Sequence, residues 1–249
     1  ASKYQWYFNN SVISGATNSS VAVVSNGTYS VKLMDNSGNT IKLLHICVTI
    51  GNDGTIRKIY LVGDSTVTTY KDTQFPMTGW GMVLKYFFDS NIQIFNHAIG
   101  GRSSRSFREQ GRWTTVLNLL QPGDYVMIQF GHNDRDYSKP ERYTPVADYK
   151  LYIDSMVVEA LAKSAIPILV SPMVMNAWSG TTMRNVFTES GNDYRGAMAA
   201  VASERNVPFV DLNMMSFNAF KTLSYDYLSR FYYNTYITGE YTNYPDGLT

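Results

Sequence analysis

Three short apolar runs in this chain each lead into a polar loop that contains glycine. Ile59-Tyr60-Leu61-Val62 runs into Gly63-Asp64-Ser65, Ile92-Gln93-Ile94-Phe95 into Asn96-His97-Ala98-Ile99-Gly100-Gly101-Arg102-Ser103, and Tyr125 to Phe130 into Gly131-His132-Asn133-Asp134. Helical spacing alternates with these strand-like runs. Trp80, Val83, Leu84 and Phe87 fall at i, i+3, i+4, i+7, and Tyr149, Tyr152, Ile153, Met156, Val157, Ala160 and Leu161 repeat the pattern over three turns. Pro167 to Ser171 and Phe209 to Leu212 supply a fourth and fifth strand, with a helix around Tyr194, Ala197, Met198 and Val201 between them. Phe217, Phe220 and Tyr227 indicate one more helix. The alternation predicts an α/β domain with a doubly wound parallel sheet and flanking helices. Such sheets hold ligands outside the carboxyl ends of their strands, so Ser65, on the first such turn, is a candidate nucleophile. Gly-Asp-Ser by itself is also ordinary turn chemistry.

Residues 1–56 have a different texture. Tyr4 to Phe8 reads as a strand, Asn9-Asn10 as a turn, and Thr28 to Leu33 as a second strand before the Asp35 to Asn39 turn, with Ile41 to Ile50 continuing the pattern. The reading is a small β-sandwich-like module of four or five strands, joined at Asn52-Asp53-Gly54 to a second domain over 57–249. Strands of an immunoglobulin-like module attached to secreted bacterial enzymes are similar to Tyr4-Gln5-Trp6-Tyr7, Ile13-Ser14-Gly15-Ala16-Thr17 and Asn26-Gly27-Thr28-Tyr29. About seven strands make such a sandwich, so the module is expected to be partial.

The 249 residues carry 21 basic and 20 acidic side chains, which removes any broad electrostatic reason to expect nucleic acid as a partner. No apolar stretch approaches the ~20 residues of a membrane span, so no membrane insertion is expected. Cys47 is the single cysteine, which leaves no intrachain disulfide and no thiolate cluster; flanked by Ile46 and Val48, it reads as a small buried hydrophobe. With three scattered histidines there is no metal-ligand spacing, and neither metal nor cofactor is expected.

Taken together, Gly63-Asp64-Ser65-Thr66, Trp80-Gly81, Ala98 to Ser106, Pro122-Gly123-Asp124-Tyr125-Val126 and Phe130-Gly131-His132-Asn133-Asp134 resemble, in order and spacing, the SGNH (GDSL-like) hydrolases, and among them the rhamnogalacturonan acetylesterases. The resemblance runs from about Lys58 to the end of the chain. It implies a flavodoxin-like fold and a secreted or cell-surface, bacterial carbohydrate esterase. The substrate would be an acetylated polysaccharide or oligosaccharide of the plant cell wall, deacetylated through a serine acyl-enzyme. It further implies Ser65 as nucleophile, with the backbone N–H groups of Ser65 and Gly101 and the side-chain amide of Asn133 as the oxyanion hole. A glycine lets backbone approach substrate closely, and an amide donates without carrying charge. Arg102, with Arg105, is a candidate holder of a uronic acid carboxylate, although arginines in polar loops also serve structure. Asp64 is expected to fix the turn by accepting backbone N–H bonds, and Asp134 can do likewise.

The family's base is the histidine of a late Asp-x-x-His block, and residues 1–249 hold only His45, His97 and His132. Asp246-Gly247-Leu248-Thr249 is similar to the stretch just before that block, so the expectation is a sequence cut at both ends that lacks the catalytic His and Asp. Two other readings stay open: a carbohydrate-binding protein on a hydrolase fold without turnover, and a generic SGNH lipase or thioesterase.

Overall fold

The computed structural model describes residues 3–9, 11–22, 24, 27–38, 40–48, 56–231 and 237–247. The chain divides into two compact units, Ala1–Thr55 and Ile56–Thr249. In the first, β1 (Lys3–Phe8), β2 (Ser11–Val12), β3 (Gly27–Met34) and β4 (Thr40–Val48) make a four-stranded antiparallel sheet in the order β2-β1-β3-β4. Asn9, which tolerates the left-handed region, takes φ 47° in the turn between β1 and β2. The expected join at Asn52-Asp53-Gly54 lies outside the described residues, as do the side chains of His45 and Cys47.

The second unit is built on β5 (Arg57–Gly63), β6 (Ile92–Asn96), β7 (Tyr125–Gln129), β8 (Ile166–Val170) and β11 (Phe209–Val210), with a small antiparallel ribbon of β9 (Trp178–Ser179) and β10 (Thr182–Met183) outside the main sheet. The five strands run parallel in the order β11-β8-β7-β5-β6. In order of appearance this is 2-1-3-4-5, the flavodoxin-like winding, which reverses direction between β5 and β7. Both faces of the sheet are covered at its centre, which explains why β5 and β7 read as apolar runs, while the edge strand β6 alternates between half-buried and exposed positions. Tyr60 and Val62 of β5, with Val126 and Ile128 of β7, join the larger core. Ile59 and Leu61, pointing the other way, pack with Val67 and Ala98.

The helices are α1 (Trp80–Val83), α2 (Ser104–Glu109), α3 (Arg112–Leu119), α4 (Val146–Ala162), α5 (Tyr194–Arg205), α6 (Leu212–Phe220) and α7 (Tyr225–Phe231). The larger core takes Phe107 from α2, Trp113 from α3, Tyr149, Ile153 and Met156 from α4, and Met198 from α5. A bidentate pair of Arg108 with Glu159, which also accepts from the Trp113 indole, ties α2 and α3 to α4. Among the described residues no helix is long and apolar enough to cross a membrane.

Three sequence expectations are corrected. The 80–87 stripe is not one core-facing helix: α1 ends at Val83 and a 3-10 turn carries the chain through Phe87. Trp80 and Leu84 pack against the Leu61 face, while Phe87, the last residue of the 3-10 turn, is 78% exposed. The stretch from Phe217 to Tyr227 is two helices rather than one. The strand expected to reach Leu212 stops at Val210, since the Asp211 side chain accepts from the Met214 N–H and starts α6.

Candidate active site

Each of the three glycine-containing loops leaves the carboxyl end of a neighbouring strand, and each is fastened to the other two. The first turns sharply after β5. A Cβ on Gly63 would stand 2.7 Å from the Gln129 carbonyl oxygen, so only glycine lets β5 and β7 close up at this point. Asp64 then accepts from the Thr66 N–H (2.9 Å) and hydroxyl (2.8 Å), while its own carbonyl accepts from Val67 and Thr68 N–H. This turn presents Ser65, which is half-buried. The Tyr70 hydroxyl donates to the Ser65 carbonyl at 3.0 Å and holds the turn from outside.

The second loop is pinned to the first by the Asn96 amide on Val67 O (2.7 Å), Thr68 Oγ1 on Ala98 O (2.6 Å) and Ile99 N on Gly63 O (3.0 Å). It delivers the Gly100-Gly101 backbone to the serine: a Cβ on Gly100 would sit 3.6 Å from Ser65 Cβ. Gly101 has φ +76°, in the region that favours glycine, and the chain there turns into α2. Ser103 and Ser106 cap that helix reciprocally, each hydroxyl accepting from the other's backbone N–H.

From the third loop, the Asn133 amide donates to Arg102 O at 3.0 Å, so the side chain is drawn to the Gly101 side of the second loop. Amides carry two donor hydrogens, and this bond uses one. Asp134 accepts from both the N–H (3.0 Å) and the hydroxyl (2.5 Å) of Ser104. Helices behind the loop hold it in place, with the Tyr149 hydroxyl on Phe130 O (3.0 Å) and the Tyr194 hydroxyl on Thr144 O (2.9 Å).

Thus Ser65 and the Gly100-Gly101 turn are adjacent, and Asn133 is bonded to the residue after Gly101. Arg102 is directed elsewhere. Its Nη1 donates to Gly100 O at 2.8 Å and its Nε to Gln110 Oε1 at 3.2 Å, which makes it a brace of its own loop. Arg105 is similarly tied to the carbonyls of Pro140 and Tyr143.

Beneath the loops lie two buried carboxylates with opposite tendencies. Burial pushes the Asp64 carboxyl up, but the His132 ring, its Nδ1 3.3 Å from Oδ2, and the Thr66 donors outweigh burial and hold it below the ordinary carboxylate range. Burial dominates at Asp134, which is pushed up to about 7 against the pull of the Ser104 donors, with the Asp64 charge adding to the rise. Asp64 is therefore the more acidic of the two.

That arrangement assigns His132 a structural task. Its Nδ1 faces Asp64 and its ring packs edge-on against Phe187 at 5.0 Å. His97 stacks on Tyr60 at 5.9 Å, and burial lowers its pKa. Among the described residues neither histidine hydrogen-bonds Ser65. Replacing His132 by Leu removes the ring that faces Asp64 Oδ2 and should cost about 3 kcal/mol. Denaturation should show a melting temperature lower by about 10 °C. An unchanged melting temperature with abolished turnover would make His132 a proton carrier instead.

A profile described as the GDSL-like lipase/acylhydrolase family matches residues 61–234. The chain is 42% identical over 155 residues to "Probable rhamnogalacturonan acetylesterase YesY" of Bacillus subtilis (strain 168), covering 62% of this chain and 69% of that protein. It is 32% identical over 197 residues to rhamnogalacturonan acetylesterase RhgT of the same organism, covering 77% and 79%. The crystal structure of the Bacillus subtilis protein YxiM matches with a TM-score of 0.61 at 25% identity, over 92% of this chain and 67% of that one. Axe2, an acetylxylan esterase from Geobacillus stearothermophilus, shares the fold with a TM-score of 0.56 at 22% identity, over 70% and 84%. The profile spans more than half of the chain and most of the second unit, and the chain belongs to the GDSL-like lipase/acylhydrolase family.

Proposed function

We propose that this protein is an exported carbohydrate acetylesterase that removes acetyl groups from a pectin-type polysaccharide of the rhamnogalacturonan class. Ser65 attacks the acetyl carbonyl as a base takes its proton, and the negative charge that develops on the carbonyl oxygen is met by the N–H groups of Ser65 and Gly101 and by the Asn133 amide. The sugar hydroxyl leaves, and water releases acetate from the acyl-enzyme. The observation that carries the reading is the closeness of Gly100 to Ser65 on one side and of Asn133 to the Gly101 turn on the other. The names of the relatives support acetylated carbohydrate as the substrate. Arg102, bonded to Gly100 O and Gln110, supports the glycine turn rather than the substrate.

Acyl-chain preference separates this reading from a lipase. The full-length protein should release acetate from acetylated pectin and cleave acetyl esters well ahead of butyryl and octanoyl esters, measured as kcat/KM on a matched series. Preference for octanoyl esters would keep the serine chemistry and move the protein to lipid or thioester substrates. Binding of the polysaccharide without ester cleavage would leave only a binding role.

A further inference from the structure

The arginines next to the Gly100-Gly101 turn in sequence are committed to backbone carbonyls and to Gln110. Arg142, far along the chain, reaches back to that turn: its Nη1 lies 3.6 Å from the point that a Cβ on Gly101 would occupy. Its other edge is held, since Nη2 donates to Asp136 Oδ2 at 2.6 Å, and Asp136 is itself steadied by the Ser138 hydroxyl at 2.6 Å. Nε is buried and makes no hydrogen bond, and among the described residues Nη1 makes none either. The side chain keeps 26% of its surface exposed. A guanidinium held at Nη2 and left without a partner at Nη1, beside the loop that faces the nucleophile, can receive an anion at Nη1.

We infer that Arg142 is the specificity-determining residue of this site, and that it receives the carboxylate of a uronic acid unit neighbouring the acetylated sugar held at Ser65. The inference deepens the pectin-type reading and rests on it. Charge makes the choice of anion specific. The chain has a formal net charge of only +1, so a polyanionic sugar gains little from the molecule's general field and must be recognised by a placed cation. Asp136 neutralises part of that cation, so a ligand carboxylate competes for a shared donor set. A neutral or methyl-esterified sugar finds no partner at Nη1.

Calorimetric binding of unacetylated oligogalacturonide, and of the same oligomer with its carboxyls methyl-esterified, tests this without requiring turnover. The wild-type protein should favour the free acid on the order of tenfold, as one charge-assisted contact at Nη1 provides. Arg142→Gln should abolish that preference. Asp136→Asn, which removes the internal partner but leaves the guanidinium, should keep the preference or strengthen it. That result separates an anion receptor from a loop brace, since both variants break the same ion pair. Loss of the preference in both variants, or its survival in Arg142→Gln, would overturn the assignment. Failure of the esterase reading would show separately, as a wild-type protein that binds the oligomer yet releases no acetate from any ester.

Discussion

In the full-length protein, with its catalytic base present, Ser65→Ala is expected to reduce acetate release from acetylated pectin by about 10⁴-fold or more while leaving saccharide affinity nearly unchanged. The hydroxyl forms the bond that breaks the ester, and no neighbour can substitute for it. Tyr70 donates to the Ser65 carbonyl rather than presenting its oxygen to the site, and the Thr66 hydroxyl is bonded to Asp64. On the proposed mechanism the same hydroxyl contributes little to ground-state affinity, because a single hydroxyl adds little to a ligand held through its sugar units. The check is paired: acetate release by enzymatic assay, and affinity for the polysaccharide by calorimetry. Release that survives the substitution would remove Ser65 as nucleophile.

Asn133→Ala is expected to lower kcat by about 10² to 10³-fold with a smaller effect on KM, because the amide is asked to bind the oxyanion more tightly than the substrate carbonyl. One structural complication is visible and can be separated. Asn133 also donates to Arg102 O, so its loss loosens the join between the second and third loops. Asn133→Asp tests this, since it keeps the size of the side chain and replaces the donor with a negative charge opposite the developing oxyanion. It should be at least as damaging to kcat as alanine. If Asn133→Asp retained most of the wild-type kcat, oxyanion stabilisation by this side chain would be excluded.

The parallel sheet is legible in the sequence because its central strands are covered on both faces, and apolar runs such as Ile59 to Val62 advertise themselves without needing an alternating pattern. The turn at Ser65 is legible for a related reason: glycine and aspartate at the end of a strand have a mechanical meaning, and the structure uses both, Gly63 for close approach and Asp64 for the turn bonds. Less is visible where distance along the chain separates partners. Ser104 and Asp134 lie thirty positions apart, as the bond between them records, and nothing local in either segment announces the other. Proximity to a motif also misleads. Arg102 adjoins Gly101 in sequence but folds back onto Gly100 O, while Arg142 comes to the same glycine through a loop anchored by Asp136 and Ser138. Helices α2 and α3 escape a periodicity reading because they are short, and α2 starts from a Ser103-Ser106 cap rather than from an apolar stripe. The 80–87 segment shows the opposite failure, a good stripe whose helix stops at Val83 and whose last member, Phe87, lies exposed.

The bonds that join the three loops have a thermodynamic consequence. Backbone carbonyls and side chains of the protein already hold the serine turn, the glycine turn and the amide in one arrangement, so little conformational entropy remains to be lost when a sugar arrives. Contacts made by remote sugar units can then act on the position of the ester rather than on ordering the loops. A site of this kind gains in discrimination as the polymer lengthens, and a minimal ester such as an isolated acetyl group exploits only part of it.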